Sequence, residues 1–135
     1  MRSKKVILDT NLWISFLITK NYSFIDKFVE NQKVTLIFSK ELIQEFLTVA
    51  TRPKFQKYFT DQDIQKLIRS FDNFAKIIET TSNIEICRDF KDNFLLNLAI
   101  DSKADFLVTG DNDLLELKKI EKTKILTITE LTERI

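Results

Sequence analysis

Val6-Ile7-Leu8 and Phe106-Leu107-Val108 are short apolar runs without polar–apolar alternation, and each gives way to an acid. Asp9 follows the first run directly, and Thr109 and Gly110 separate the second from Asp111. Runs of this kind fit strands covered on both faces, as in a parallel sheet between helices. Such sheets leave one concave place open, the crevice outside the carboxyl ends of the strands. Both acids therefore stand where a ligand would bind. For the first stretch alone a simpler account competes, because Asp, Thr and Asn all cap helices and a helix begins near Leu12.

The rest of the chain continues the alternation of strand and helix. Residues 12–17 and 24–29 read as helical, and residues 33–38 as a second strand. Ser39 then caps a helix whose Leu42, Phe46 and Val49 share one apolar face. Glu41 falls in the first turn, where the helix dipole favours a carboxylate; Glu45 lies on the flank of the apolar face, a position open to pairing with a cation or to function. Residues 51–59 and 61–78 suggest a helical pair ending in a short strand around residues 76–79. In the first of these, Arg52, Lys54 and Lys57 stand beside Phe55, Tyr58 and Phe59, a set able to contact phosphates and stack bases, although a solvated helix face is the commoner explanation. Leu95, Leu98, Ala99 and Ser102 line one face of a later helix that Asp92 opens, and Asp89 and Asp92 both suit capping. Asp105 reads as a turn residue entering the strand at 106–109, Gly110 as the turn that follows, and Asp113 lies two residues beyond Asp111. A last strand at 124–128 and a helix from Glu130 complete the pattern.

Composition narrows the chemistry. The 135 residues suit a single domain, 1–135, able to bury roughly two-thirds of its unfolded surface. With 44% hydrophobic and 30% charged residues the chain is not disordered. No window approaches a membrane span, and the basic start MRSKKVIL has too short an apolar run for a signal peptide, so a cytoplasmic protein is expected. There is no histidine, and Cys87 is the lone cysteine. Ser-His-Asp, Cys-His and histidine-pair chemistries are thereby excluded, as is a zinc cluster, and hydrolysis would have to rest on carboxylates, lysine or a metal. Lys and Arg number 21 against 20 Asp and Glu, so nucleic acid would be met by a local patch rather than by a global field. There is no repeat and no linker.

In a parallel sheet with right-handed crossovers the strand ends share one edge, so Asp9 and Asp111 converge. Asp92 opens the helix before the Asp111 strand, and Glu45 lies one turn into the helix after the second strand, which brings four carboxylates to one cleft. Like charges at close range raise one another's pKa values, and a divalent cation resolves the conflict. Oxygen-only donors select Mg²⁺ or Mn²⁺, and one or two such ions, roughly 3.5–4 Å apart when paired, can activate a water for in-line displacement at phosphorus.

The stretches VILDTNLW, ELIQEFLTVATRPKF with its Glu45, and RDFKDNFLLNLAIDSKADFLVTGDNDLL together resemble the PIN domain over nearly the whole chain. The nearest likeness is to PIN proteins described as toxin components of toxin–antitoxin pairs. The resemblance implies an α/β three-layer sandwich, with a five-stranded parallel sheet between helices, and Mg²⁺- or Mn²⁺-dependent RNA cleavage. It assigns Asp9, Glu45, Asp92 and Asp111 to the acidic quartet that holds the metal and serves catalysis, with Asp113 as an occasional fifth acid. Asn11 and Thr109 match polar positions that orient carboxylates or a water. Residues 51–78 carry no family signature, so substrate choice and the antitoxin-binding surface are not read from them.

Two other classes compete. A haloacid-dehalogenase-like phosphatase also starts with a strand ending in Asp, but needs an acid two residues on, where this chain has Asn11. A catalytically silent binding module, receiver-like or antitoxin-binding, would use the acids only for a cation or for caps; a receiver also needs a central phosphoacceptor that is absent, and Lys124 is an ambiguous match to its late lysine. The expectation is an endoribonuclease that cuts single-stranded RNA to a 5′-phosphate and a 3′-hydroxyl. The resemblance further implies a cognate antitoxin that inserts a segment into the cleft, commonly with a basic side chain pairing with the acids, and the aromatic Phe55, Tyr58 and Phe59 are compatible with a homodimer that the sequence does not establish.

Overall fold

In the computed structural model Val6, Ile7, Leu8, Phe106, Leu107 and Val108 are all buried. Successive residues of a strand face opposite sides of a sheet, so burial of every one of them means that both sides are covered. Residues 3–23, 27, 32–81 and 90–134 are described. The predicted helix at 24–29, residue 27 excepted, the candidate cap Asp89 and Cys87 lie outside them.

The strands are β1 (Lys4–Leu8), β2 (Val34–Phe38), β3 (Ala75–Ile77), β4 (Phe106–Val108), β5 (Lys119–Ile120) and β6 (Thr123–Leu126), and the helices are α1 (Thr10–Thr19), α2 (Lys40–Ala50), α3 (Asp61–Phe74), α4 (Phe90–Ser102), α5 (Asn112–Leu115) and α6 (Ile128–Arg134). The sheet order is β3-β2-β1-β4-β6-β5. Five strands are parallel, with Val6 opposite both Leu36 and Phe106 and Val108 opposite Leu126, while β5 pairs antiparallel with β6. The expected five-stranded sheet thus gains a sixth strand. Its two residues are too few to show a hydrophobic period, and they form by the chain doubling back before β6.

From β1 the sheet grows to β2 and β3 on one side and to β4 and β6 on the other. The boundary between β1 and β4 is therefore the topological switch point, where crossovers diverge and a crevice opens at the carboxyl rim. Hydrogen bonds stitch this boundary at both ends. The amide of Lys5 donates to the Asp105 carboxylate at 2.8 Å, and the amide of Asp9 donates to the Val108 carbonyl at 3.0 Å. Asp105 is more than a turn residue, since its carboxylate ties the entry of β4 to β1.

Trp13 anchors α1 in the core, its ring 5.7 Å from Phe16 edge-on and 5.6 Å from Phe38 of β2. Leu42, Phe46 and Val49 of α2 are buried, as their spacing predicts, and the Ser39 hydroxyl accepts from the Leu42 amide. Four local expectations need correction. Residues 51–59 are not a helix: Pro53 has no amide to continue one, and the chain makes a 3-10 turn at Pro53–Phe55 followed by further turns. The third strand comes earlier than 76–79, running from Ala75 to Ile77 directly after α3. The final strand ends at Leu126 rather than at 128. The last helix starts before Glu130, because the Thr127 hydroxyl accepts from the Glu130 amide while the Glu130 carboxylate accepts from the Thr127 amide, a reciprocal cap that places Glu130 in the first turn. No helix among the described residues is long and apolar enough to cross a membrane.

Candidate metal and active site

Asp9 ends β1 and begins α1 in one residue. Its amide completes the β1–β4 ladder, its carbonyl accepts from the Leu12 amide at 3.0 Å, and its backbone is extended. Asp9 therefore occupies the N-cap position of α1, but its side chain makes no full capping hydrogen bond, and the Thr10 and Asn11 amides only help to favour its charged form. Instead its Oδ2 accepts a 2.7 Å hydrogen bond from the Thr109 hydroxyl at the end of the neighbouring strand. The same hydroxyl accepts from the Asp111 amide at 3.0 Å, and Asp111 Oδ1 accepts from the Asp113 amide at 2.8 Å. Thr109, 1% exposed, thereby fixes the side chain of Asp9 and the backbone of Asp111 with one oxygen.

This boundary opens into a cavity of about 210 Å³ lined by acids from four places in the chain: Asp9, Glu45 of α2, Asp92 in the first turn of α4, and Asp111. Thr10, Asn11, Arg52 and Phe94 are among its other walls. Asp92 is buried and lies inside the helix rather than at its cap. A larger cavity of about 290 Å³, between α4 and the turn into β6, is lined by Ala99, Ile100, Lys103, Glu121, Lys122 and Thr123 and offers only one carboxylate. Chemistry rather than size singles out the acidic one.

Carboxylate oxygens of Asp92, Asp111 and Asp113 lie within 4.8 Å of one another. Opposite ligands of a magnesium octahedron stand about 4.2 Å apart, so small side-chain rotations would bring such a set to coordination distance. The donors are all hard oxygens with no thiol or imidazole, a set that fits a hard divalent cation and could hold one. Burial pushes the Asp9 carboxyl above its ordinary value, and nearby Asp111 adds to the rise; the Thr109 hydroxyl and, more weakly, the Asn11 and Thr10 amides oppose it. An added positive charge would relieve both causes of the rise.

The sequence-based candidates are not all brought together. Asp9, Asn11, Glu45, Arg52, Asp92 and Asp111 meet at the cavity; Asp113 joins the triad from its exposed edge, and Thr109 stands behind Asp9. Lys54 and Lys57 are not in the wall. Their ammonium groups sit 5.1 Å over Phe55 and 5.2 Å over Tyr58. Of the three aromatics expected at a surface, Phe59 is 5% exposed and Phe55 half-buried against the core, which leaves Tyr58 as the exposed one. The buried Phe59 removes part of the case for a homodimer. Thr10 and Phe94 were not anticipated in the wall. Thr10 follows Asp9 directly and Phe94 lies two residues beyond Asp92, and only that proximity marked them.

Comparison with solved structures finds VapBC2 from Rickettsia felis bound to a DNA fragment from their promoter, at TM-score 0.59 and 18% identity over 90% of this chain and 96% of that one. It also finds PAE2754 from Pyrobaculum aerophilum, at TM-score 0.58 and 18% identity over 96% and 88%. These are likenesses of fold. In sequence, the uncharacterized protein MJ1680 of Methanocaldococcus jannaschii is 34% identical over 122 residues, covering 87% of this chain and 77% of that protein. A PIN domain family model matches residues 5–113, a span that includes every acid of the cavity, and the chain belongs to the PIN domain family.

Proposed function

We propose that the protein is a Mg²⁺- or Mn²⁺-dependent endoribonuclease that cuts single-stranded RNA, and that it is the toxin of a toxin–antitoxin pair. The observation that carries the nuclease reading is the meeting of Asp9, Glu45, Asp92 and Asp111 in one cavity at the switch point of a parallel sheet. In this reading Asp92, Asp111 and Asp113 would hold the ion, and Asp9 and Glu45 line the same cavity. The bound ion supplies Lewis acidity toward a phosphate oxygen and toward a water.

The protein's own groups do the rest. Thr109 holds the half-buried Asp9 carboxylate in one rotamer, so it would meet an ion without reorganising. Asn11, exposed at the mouth, donates to a phosphate oxygen or a water. Arg52 brings positive charge to a wall otherwise acidic and binds the phosphate that the carboxylates would repel. Lys54, Lys57 and exposed Tyr58, on the turns that follow Arg52, extend the RNA contact beyond the cavity. Attack by water opposite the 3′-oxygen forms the new P–O bond, breaks the bond to O3′, and leaves a 5′-phosphate and a 3′-hydroxyl.

The partner half of the proposal is fold-level analogy, drawn from the two-component VapBC2 assembly. A basic side chain of an antitoxin would fit the same acidic cavity and block it. An RNA substrate and an antitoxin partner both fit a cytoplasmic protein. The phosphatase reading is disfavoured by Asn11, whose amide lines the cavity where that chemistry needs an acid.

Cleavage of a mixed RNA pool, titrated with Mg²⁺ and Mn²⁺ against chelator, tests the reading with wild type and Asp9→Asn side by side. Metal-dependent cutting by the wild type and a loss of at least about a hundredfold in the variant are expected. Equal rates would remove the assignment. Acid-stable labelling of Asp9 by a phosphate donor would instead favour the phosphatase.

A further inference from the structure

Gly110 is the only glycine of the chain, and nothing among the described residues asks for it. Its φ is not positive, so its backbone is not in the left-handed region that favours glycine. A Cβ built there meets no atom of the described residues within 4 Å, so their packing does not exclude a side chain either. Sequence reading assigned Gly110 to a turn, but the turn is closed by neighbours, through the Thr109 hydroxyl and the Asp111 carboxylate. Where the backbone does adopt left-handed angles, at Lys20, Gln32, Lys103, Lys118 and Glu121, the chain carries long side chains. A glycine with ordinary angles and open space around it costs stability, because it enlarges the freedom of the unfolded chain.

What remains is the outside of the molecule. Gly110 is exposed, and it stands between Thr109, which holds Asp9, and Asp111, which lines the acidic cavity. Bare backbone at such a place lets another chain come to van der Waals distance of the peptide, an approach that any Cβ would push back.

We infer that Gly110 is a substrate-binding contact, the surface on which the sugar–phosphate strand of the substrate lies as it enters the acidic cavity. The inference rests on the nuclease reading above and adds the path of the strand over the end of β4. It makes a distinctive demand: bulk at position 110 weakens substrate binding without disturbing the acids, so it acts on KM and not on kcat.

The test uses wild type, Gly110→Ala, Gly110→Val and Asp9→Asn with one end-labelled single-stranded RNA oligonucleotide. Steady-state cleavage is measured in Mn²⁺, and binding is measured by fluorescence anisotropy in the Asp9→Asn background with and without Gly110→Val. Gly110→Val is expected to raise KM about tenfold with kcat within about twofold, and to weaken binding to match, with Gly110→Ala in between. Thermal melts and the Mn²⁺-induced rise in Tm should match the wild type or exceed it slightly, which separates loss of contact from loss of fold. Unchanged KM and binding in Gly110→Val, while the wild type cuts and Asp9→Asn does not, would overturn the inference and leave the nuclease reading standing. A fall in kcat alone would also overturn it, since the residue would then be acting on the acids. A wild type that neither binds nor cuts the oligonucleotide removes both.

Discussion

Asp9 has two properties that pull against each other. Its carboxyl is pushed upward chiefly by burial, so in the metal-free protein the charged form is disfavoured relative to the unfolded chain. A carboxyl whose folded pKa lies above its unfolded one binds more protons when folded, and stability falls as pH rises from the unfolded value through the folded one. Asp9→Asn removes that cost while keeping an oxygen that accepts from Thr109. The expected outcome is a metal-free variant with a higher Tm than wild type at neutral pH, the advantage shrinking as pH falls through the raised folded value and gone below the unfolded value of 3.8. Melts in chelator across pH would show it, and a variant less stable than wild type at neutral pH would contradict the account. Thr109→Val tests the shared hydroxyl. It should lower stability by about 1 kcal/mol in urea titration and raise the Mn²⁺ concentration for half-maximal cleavage about tenfold or more, with Thr109→Ser restoring both. Asp9, Asp92 and Asp111 were legible because each follows a strand or stands in the first turn of a helix, whereas Glu45, in the middle of α2, was marked only by its place on the flank of the apolar face. The split between the cavity residue Arg52 and its neighbours Lys54 and Lys57 was not, because side-chain direction in a turn after Pro53 has no period to follow.

Helix ends decide much of the local register. At α4 the amide of Lys103 donates to the Ile100 carbonyl and that of Ala104 to the Ala99 carbonyl, the paired bonds of a Schellman ending, and the left-handed residue it requires is Lys103 with φ 54°. A lysine pays steric strain there that glycine avoids, so Lys103→Gly should gain about 0.5–1 kcal/mol in urea unfolding with cleavage unchanged. At the start of α3 the Asp63 carboxylate accepts from the Thr60 amide at 2.9 Å and pairs with Lys20 at 2.8 Å, tying the end of α1 to α3. The Lys20 ammonium first, then the Thr60 amide, hold Asp63 down from 3.8 to about 2. A depressed carboxyl stabilises the fold above its unfolded pKa, and that contribution drains away as pH falls through the folded one. Wild type should therefore be more stable than Asp63→Asn above pH 3.8, with the two converging as pH falls from 3.8 to about 2. The gap should be small and should narrow in high salt, since the pair is partly exposed. Caps of this kind are also why boundaries moved: the Thr127 and Glu130 pair reads in sequence as a helix beginning at the acid, whereas the acid reaches back to an earlier start.

The order β3-β2-β1-β4-β6-β5 accounts for how acids at positions 9, 45, 92 and 111 come to share one cavity. Asp9 and Asp111 meet because β1 and β4 are adjacent and parallel at the switch point, and Glu45 and Asp92 meet them because α2 packs against α4. That much was readable from non-alternating runs and the shared edge of a parallel sheet. The β5 hairpin was hidden, since Lys119–Ile120 is two residues long and its pairing is set by the left-handed Lys118 and Glu121 on either side. A cavity assembled from four separate segments has a further consequence for stability. An ion held there by α4 and the loop after β4 links parts of the chain that separate on unfolding, so it binds the native state and not the unfolded one. At a free Mn²⁺ concentration a hundredfold above the dissociation constant the native state should gain about 2.7 kcal/mol, which for a domain of this size is a rise in Tm on the order of 10 °C. Asp92→Asn removes one of the three carboxylate charges of the triad and should flatten the response to Mn²⁺ while the protein still melts cooperatively. If the variant rises with Mn²⁺ as steeply as wild type, the ion is bound elsewhere, and the acids of the cavity are not its ligands.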